Sequence, residues 1–233
     1  MSDSPEKAGW LTDDQRSWLV ATLKRQDLGF GERRRLFSAF TTANVWVLAL
    51  AYFGNNTGGY GVTLWLPSLI HSLSGIGNFA IGMLSVIPYL VAAVVMVLVG
   101  IHSDRTGERR LHAASFAFLS AVALPVAAYS QSIGPMIAAL SIAVLSGYCL
   151  TGPFWALSTS LLSGTGAAAG IALINAVGNL GGFCGPYILG SVRASTGNFK
   201  GGLLILSAVM AMTGCLLLLA RSGRGSPRES AAR

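Results

Sequence analysis

The chain alternates between long apolar runs and short polar breaks. Six runs can be counted, approximately 44–70, 79–101, 111–129, 134–162, 167–192 and 200–220. Each is close to or above the roughly 20 residues that an α-helix needs to cross a hydrocarbon core about 30 Å thick. The pattern predicts an all-α, polytopic bundle of six transmembrane helices over 44–220, preceded by a segment 1–43 and followed by a tail 221–233. Runs 140–162 and 167–192 flank an uncharged Ser/Gly/Thr loop, which predicts a helix, a tight turn and a second helix. Trp155 stands nine residues before Gly164, and Asn175 nine after Gly166. At 1.5 Å of rise per residue both lie about 14 Å from the turn, near the middle of a bilayer. An indole and an amide at that depth need partners.

Other breaks in the apolar pattern carry the same message. The first run holds Asn55, Asn56, Thr57, Gly58, Gly59 and Gly61 at its centre. Two amides beside glycines are costly in lipid, so this face is expected to look into protein or water. Helical spacing places Tyr52, Asn56 and Tyr60 on one side, with Asn55 beside them. The bland alternative is that the amides only bond neighbouring helices and the glycines only allow close packing. In the fourth run Gly147, Gly152 and Pro153 are expected to loosen the helix just before Phe154 and Trp155. In the fifth, Asn175 and Asn179 are four apart and share a face, while Gly178 with Gly182 and Gly181 with Gly185 read as packing seams. Pro88 and Pro186 predict bends in the second and fifth helices.

Ahead of the first run, residues 10–26 read as a short amphipathic helix. Thr12 and Gln15 have capping-box spacing, Asp13 and Asp14 sit in the first turn, and Lys24 and Arg25 in the last. Leu11, Trp18, Leu19 and Leu23 make its apolar stripe, suited to the headgroup layer or the underside of the bundle. The first nine residues have no apolar run and predict no signal peptide. The tail, rich in Arg, Ser and Gly, predicts disorder.

Composition narrows the class. Hydrophobic residues make up 52% and charged residues 11% of the chain, far from the roughly 25% charge of a soluble domain. All nine acidic residues lie outside the six runs, with Asp104 and Glu108 alone between the first run and the last. Basic residues are lopsided: seven in 1–43, three in the connection after the second run, four in the tail, and only Arg193 and Lys200 at the other ends. By the positive-inside rule both termini are cytoplasmic. The net charge of +7 is then a topology signal, with contact to anionic membrane lipids as a by-product, and nucleic-acid binding is a poor reading. Cys149, Cys184 and Cys215 lie inside apolar runs without metal or disulfide spacing. No catalytic residues, cofactor or metal site are expected.

The connection GIHSDRTGERRLH, 100–112, is dense in charge: Asp104 can bond backbone N–H groups, and Arg105, Arg109 and Arg110 can reach lipid phosphates or the carbonyl end of a neighbouring helix. This loop, with Gly100, Asp104, Arg105, Gly107, Arg109 and Arg110, resembles the second copy of the cytoplasmic loop motif of the major facilitator superfamily. Its SDRTGERR form is similar to the anion:cation symporter branch that takes up sugar acids, tartrate and aromatic carboxylates. GPFWAL at 152–157, GIALINAVGNLGGFCGPYILG at 170–190, AYFGNNTGGYGVTLWLP in the first run and WLTDDQRSWL before it also look like that branch.

The resemblance covers the central cytoplasmic segment and spans seven to twelve of a twelve-span family. It implies the carboxy-terminal half of a proton-coupled organic-anion symporter in the inner membrane, partnered by an amino-terminal six-helix half. It further implies that Trp155 and Asn175 contact substrate, that Asn55, Asn56 and Tyr60 face the same cavity, and that Phe154 and Asn179 lie nearby. The family's proton-responsive carboxylates and carboxylate-binding Arg belong to the other half, so the chain alone is not expected to drive uptake. Two rivals stay open from the residues themselves: a non-transporting membrane assembly or regulatory protein, and a carrier of a neutral or cationic solute.

Overall fold

A computed structural model of the protein describes residues 10–27, 41–74, 77–162 and 167–220. Among the described residues seven helices follow one another: α1 (Asp13–Asp27), α2 (Ala43–Ser74), α3 (Asn78–Thr106), α4 (Arg109–Tyr129), α5 (Ile133–Leu161), α6 (Ala167–Thr196) and α7 (Lys200–Leu219). No strand occurs among the described residues. The expected all-α bundle is what forms. Arg33 to Arg35, the 163–166 loop and the tail with its expected disorder lie outside the described residues.

The amphipathic helix α1 begins with the reciprocal cap that its sequence predicts. Gln15 N–H donates to Thr12 Oγ1 at 3.4 Å, and Thr12 N–H to Gln15 Oε1 at 3.3 Å. Two N–H groups that the first turn leaves without helical partners are thereby satisfied. Of its apolar stripe Trp18 is 68% exposed, while Leu11 and Leu19 are half-buried.

Among the described residues five helices, α3 to α7, are long and apolar enough to cross a membrane by length and composition. The longest helix, α2 with 32 residues, is not among them. Its amides and glycines dilute its hydropathy, and it can carry them because it meets protein on most sides. It packs against α5, α6 and α7, while α4 packs between α5 and α7, and α3 lies against α5. The core runs through Leu48, Leu124, Leu140, Leu150, Phe154, Leu206 and Met210, all nearly or fully buried. The helix α2 also stays continuous through Asn55 to Gly59 rather than breaking there.

Glycine sets how closely α2 is held. On its α7 side, a Cβ at Gly54 would lie 2.0 Å from Thr213 Oγ1, and one at Gly58 2.5 Å from Met210 Sδ. On the α6 side, a Cβ at Gly181 would lie 2.2 Å from the Phe53 carbonyl oxygen, and one at Gly185 2.0 Å from that of Thr57. Backbones at such range exclude any larger residue. In lipid, where apolar side chains gain little by leaving their solvent, this close van der Waals contact is a main source of cohesion.

At the α3–α4 end, Gly107 terminates α3 with φ +69°, and its N–H donates to Ser103 O at 3.0 Å. Arg109 then donates to Ala156 O at 2.8 Å and lies 4.0 Å from Asp104, and Arg110 reaches Leu218 O and Ala220 O at 3.4 and 3.5 Å. The two arginines tie the start of α4 to the last turns of α5 and to the end of α7, where Arg110 uses carbonyls that the helix end leaves without partners. Arg105 is exposed, and a Cβ at Gly100 would meet open space.

Candidate functional site

A hollow of about 390 Å³ opens between α2, α3 and α5. Its α2 wall is Tyr52, Asn55, Asn56, Gly59, Tyr60 and Thr63, its α5 wall is Val144, Gly147, Tyr148, Thr151, Gly152 and Trp155, and Met96 of α3 closes one side. No lining residue is charged. A hollow walled by amides, phenols and an indole can sort hydroxyls and flat apolar faces; it has no fixed charge with which to hold an ion.

The two adjacent amides do different things. Asn56 donates Nδ2–H to the carbonyl of Gly178 at 3.0 Å, a buried bond that joins α2 to α6. Asn55 is equally buried, 5% exposed against 7%, yet its Oδ1 has no hydrogen-bond partner. That oxygen lies about 3.8 Å from where a Cβ on Gly147 would stand, so the glycine leaves room around it. A buried amide oxygen without a partner costs on the order of 1–3 kcal/mol, recovered when a donor arrives. Gly147 and Gly152 keep the opposite wall low.

Trp155 and Tyr52 line the hollow together, backed by a third ring, Phe154. Tyr52 stacks on Phe154 at 5.1 Å and 11°, and meets Trp155 edge-on at 5.0 Å. Phe154 is fully buried behind this pair and does not line the hollow. Gly178 makes the arrangement possible, because a Cβ there would strike the Tyr52 ring at 2.1 Å. The α6 helix is held alongside by a second side-chain bond, from Trp65 Nε1–H to Pro186 O at 3.1 Å.

Of the residues singled out from sequence, the structure brings Asn55, Asn56, Tyr60 and Trp155 around one hollow. It does not bring Asn175 and Asn179 there. Asn179 Nδ2 donates to Asn175 Oδ1 at 2.9 Å, and both stand on an exposed face of α6 in line with Phe183 and Tyr187. That face points away from the Gly178, Gly181 and Gly185 seam against α2. Tyr148, Thr151 and Thr63 line the hollow and were not singled out. The signal was there: Tyr148, Thr151 and Trp155 recur at three and four residues, as do Asn56, Gly59, Tyr60 and Thr63, which is the spacing of one helical face.

Helices of bilayer-crossing length around an uncharged, amide-bearing hollow define a multi-pass membrane protein. The sequence matches the model of the Major Facilitator Superfamily over residues 8–186. The chain belongs to that superfamily, whose members here are transporters and not enzymes. It is 40% identical over 224 residues to a protein of Agrobacterium vitis named "Putative tartrate transporter", covering 95% of this chain and 50% of that one. It is 35% identical to a quinolone resistance transporter of Acinetobacter baumannii, covering 90% and 49%. The chain thus spans about half the length of the curated relatives it matches. Among solved structures, a bacterial homologue of the human lysosomal transporter Spinster, inward-facing and unoccupied, superposes with a TM-score of 0.53 at 18% identity, over 79% of this chain and 48% of that one. This likeness fixes the fold as one half of such a transporter.

Proposed function

We propose that the chain is the carboxy-terminal half of a secondary active transporter that carries a hydroxylated organic anion, of the tartrate or sugar-acid class, together with a proton. The observation that carries the reading is the unpartnered Asn55 Oδ1 in an uncharged hollow beside Trp155. Asn55 accepts from a substrate hydroxyl, Trp155 and Tyr52 offer an apolar face, and Tyr60 closes the rim. Asn56 holds α2 against α6 so that Asn55 keeps its aim. Asn175 and Asn179, on the open face of α6, complete the pathway only when a second six-helix half lies opposite. That partner supplies the charged groups: the spans contain no carboxylate to carry a proton and no cation beside the hollow to meet an anion. Both termini lie in the cytoplasm of an inner-membrane protein, with the α3–α4 connection on that side.

The test is uptake. The chain is co-expressed with the amino-terminal half of its tartrate-transporter relative, and labelled tartrate entry is followed under an inward proton gradient. Entry is expected only with both halves, and is reduced at least tenfold by Asn55→Leu or Trp155→Ala. Tartrate-independent efflux of a quinolone by the same pair, with no tartrate entry, would favour the neutral or cationic solute instead, as the uncharged hollow and the Acinetobacter relative suggest.

A further inference from the structure

A second hollow, of about 240 Å³, lies at the end of the bundle opposite Arg109. It is bordered by the ends of α2 and α4, the start of α5 and the turn between α6 and α7, and both Arg193 and Lys200 line it. These are the only Lys or Arg residues between Arg110 and Arg221, and the stretch holds no acidic residue. Among the described residues the nearest carboxylates in sequence, Asp104 and Glu108, stand at the far end of α4, about 30 Å away for its 21 residues. Among the described residues neither cation has an ion-pair partner.

Aromatic rings hold both cations in place. Arg193 Cζ lies 4.5 Å from the Phe199 ring centre and 5.5 Å from that of Trp65, whose own Nε1–H is fixed on Pro186 O. Lys200 Nζ lies 5.9 Å from the Tyr129 ring centre. Ring faces attract the cations but leave the in-plane N–H donors of a guanidinium, and the ammonium protons, available. The hollow's neutral polar groups are already engaged: Ser72 Oγ and Ser130 Oγ donate to Leu69 O and Val126 O, and Asn198 bridges Thr196 O and the Lys200 N–H. The free donors are those of the two cations.

The helix dipoles make the pairing odd. Arg193 in the last turn of α6 complements that helix's negative end, which accounts for its place. Lys200 opens α7, at the positive end of that helix, where a cation is disfavoured; Asn198 Oδ1 accepts from its N–H and the Phe199 N-cap side chain from none. Two like charges and a helix N-terminus around one hollow are reconciled by an anion between them.

We propose that this hollow binds a small oxyanion, a carboxylate or phosphate group, between Arg193 and Lys200. The site is independent of the transport reading. Two sources share the chemistry: a soluble anion from the aqueous phase, or the headgroup phosphate of an anionic lipid.

The experiment uses the full chain purified in a maltoside detergent, which carries no phosphate. Inorganic phosphate is titrated against thermal unfolding at constant ionic strength, and phosphatidylglycerol retention is read by native mass spectrometry. At least one probe is expected to bind, at least tenfold more weakly in the Arg193→Gln/Lys200→Gln double variant and less affected in Arg193→Lys. Binding of phosphate assigns the soluble source, and retention of lipid alone assigns the headgroup. If the double variant does not fold, Lys200→Gln, on an exposed first turn, carries the comparison. Failure of both probes on the unaltered chain, or equal binding by the variants, overturns the site. Trp155→Ala leaves this binding unchanged, which separates it from the hollow between α2 and α5.

Discussion

Asn56 and Gly178 are 122 residues apart in sequence, yet the amide of one donates to the carbonyl of the other at 3.0 Å in a buried bond between α2 and α6. Its neighbour Asn55 leaves an amide oxygen without a partner. Both line the hollow, but only Asn56 also ties α2 to α6. Asn56→Leu should destabilise the chain by about 1–2 kcal/mol, the cost of leaving the Gly178 carbonyl without its second donor. Asn55→Leu should be neutral or slightly stabilising. Reversible unfolding in mixed micelles distinguishes them, and equal losses would remove the difference.

The glycine seam of α6 makes a sharper forecast. A Cβ at Gly181 or Gly185 would stand 2.2 or 2.0 Å from backbone oxygens of α2, which cannot rotate aside. Gly181→Ala and Gly185→Ala should each cost about 1–3 kcal/mol and push the two helices apart. Gly59→Ala meets nothing within 4 Å and should leave stability unchanged or raise it slightly through helix propensity. Thermal unfolding midpoints of the three variants give the comparison.

Arg109 ties the start of α4 to Ala156 O of α5, the residue after Trp155. Arg109→Gln should lose about 1 kcal/mol, since the group is partly exposed. Its clearer mark is local: amides of residues 156–161 should exchange hydrogen faster, while Arg105→Gln, at an exposed position, leaves them unchanged.

The fold was legible because apolar runs of bilayer length leave few alternatives, and because Thr12 and Gln15 mark a helix start by their own chemistry. The site was half legible. Depth along a helix follows from counting, so Asn55, Asn56 and Trp155 could be set at mid-bilayer level. The direction a side chain faces follows from what its helix packs on. Asn175 lies on the side of α6 opposite its glycines, and those glycines were the available sign of which side would be covered. Nothing in the spacing of Asn55 and Asn56 tells which amide meets Gly178; that depends on the rotation of α2 set by Gly54, Gly58 and Gly61 against α7.

The charge asymmetry predicts sidedness. Ser132, in the connection between α4 and α5, should be outside the cell. In a chain without its native cysteines, Ser132→Cys should react with an impermeant thiol reagent added to intact cells. Labelling only after the cells are opened would invert the topology.

The central claim is that the hollow beside Asn55 is wet and takes part in solute handling. Gly59 lines it and has room for a side chain, so Gly59→Cys in a background without Cys149, Cys184 and Cys215 places a thiol inside with little disturbance. The rate of its modification by a charged methanethiosulfonate, in membranes that also hold the amino-terminal half, is the most direct measurement. Rapid modification, slowed several-fold by tartrate, is the expected result. A thiol that reacts only with a neutral, lipid-soluble maleimide would show a dry hollow and contradict the account.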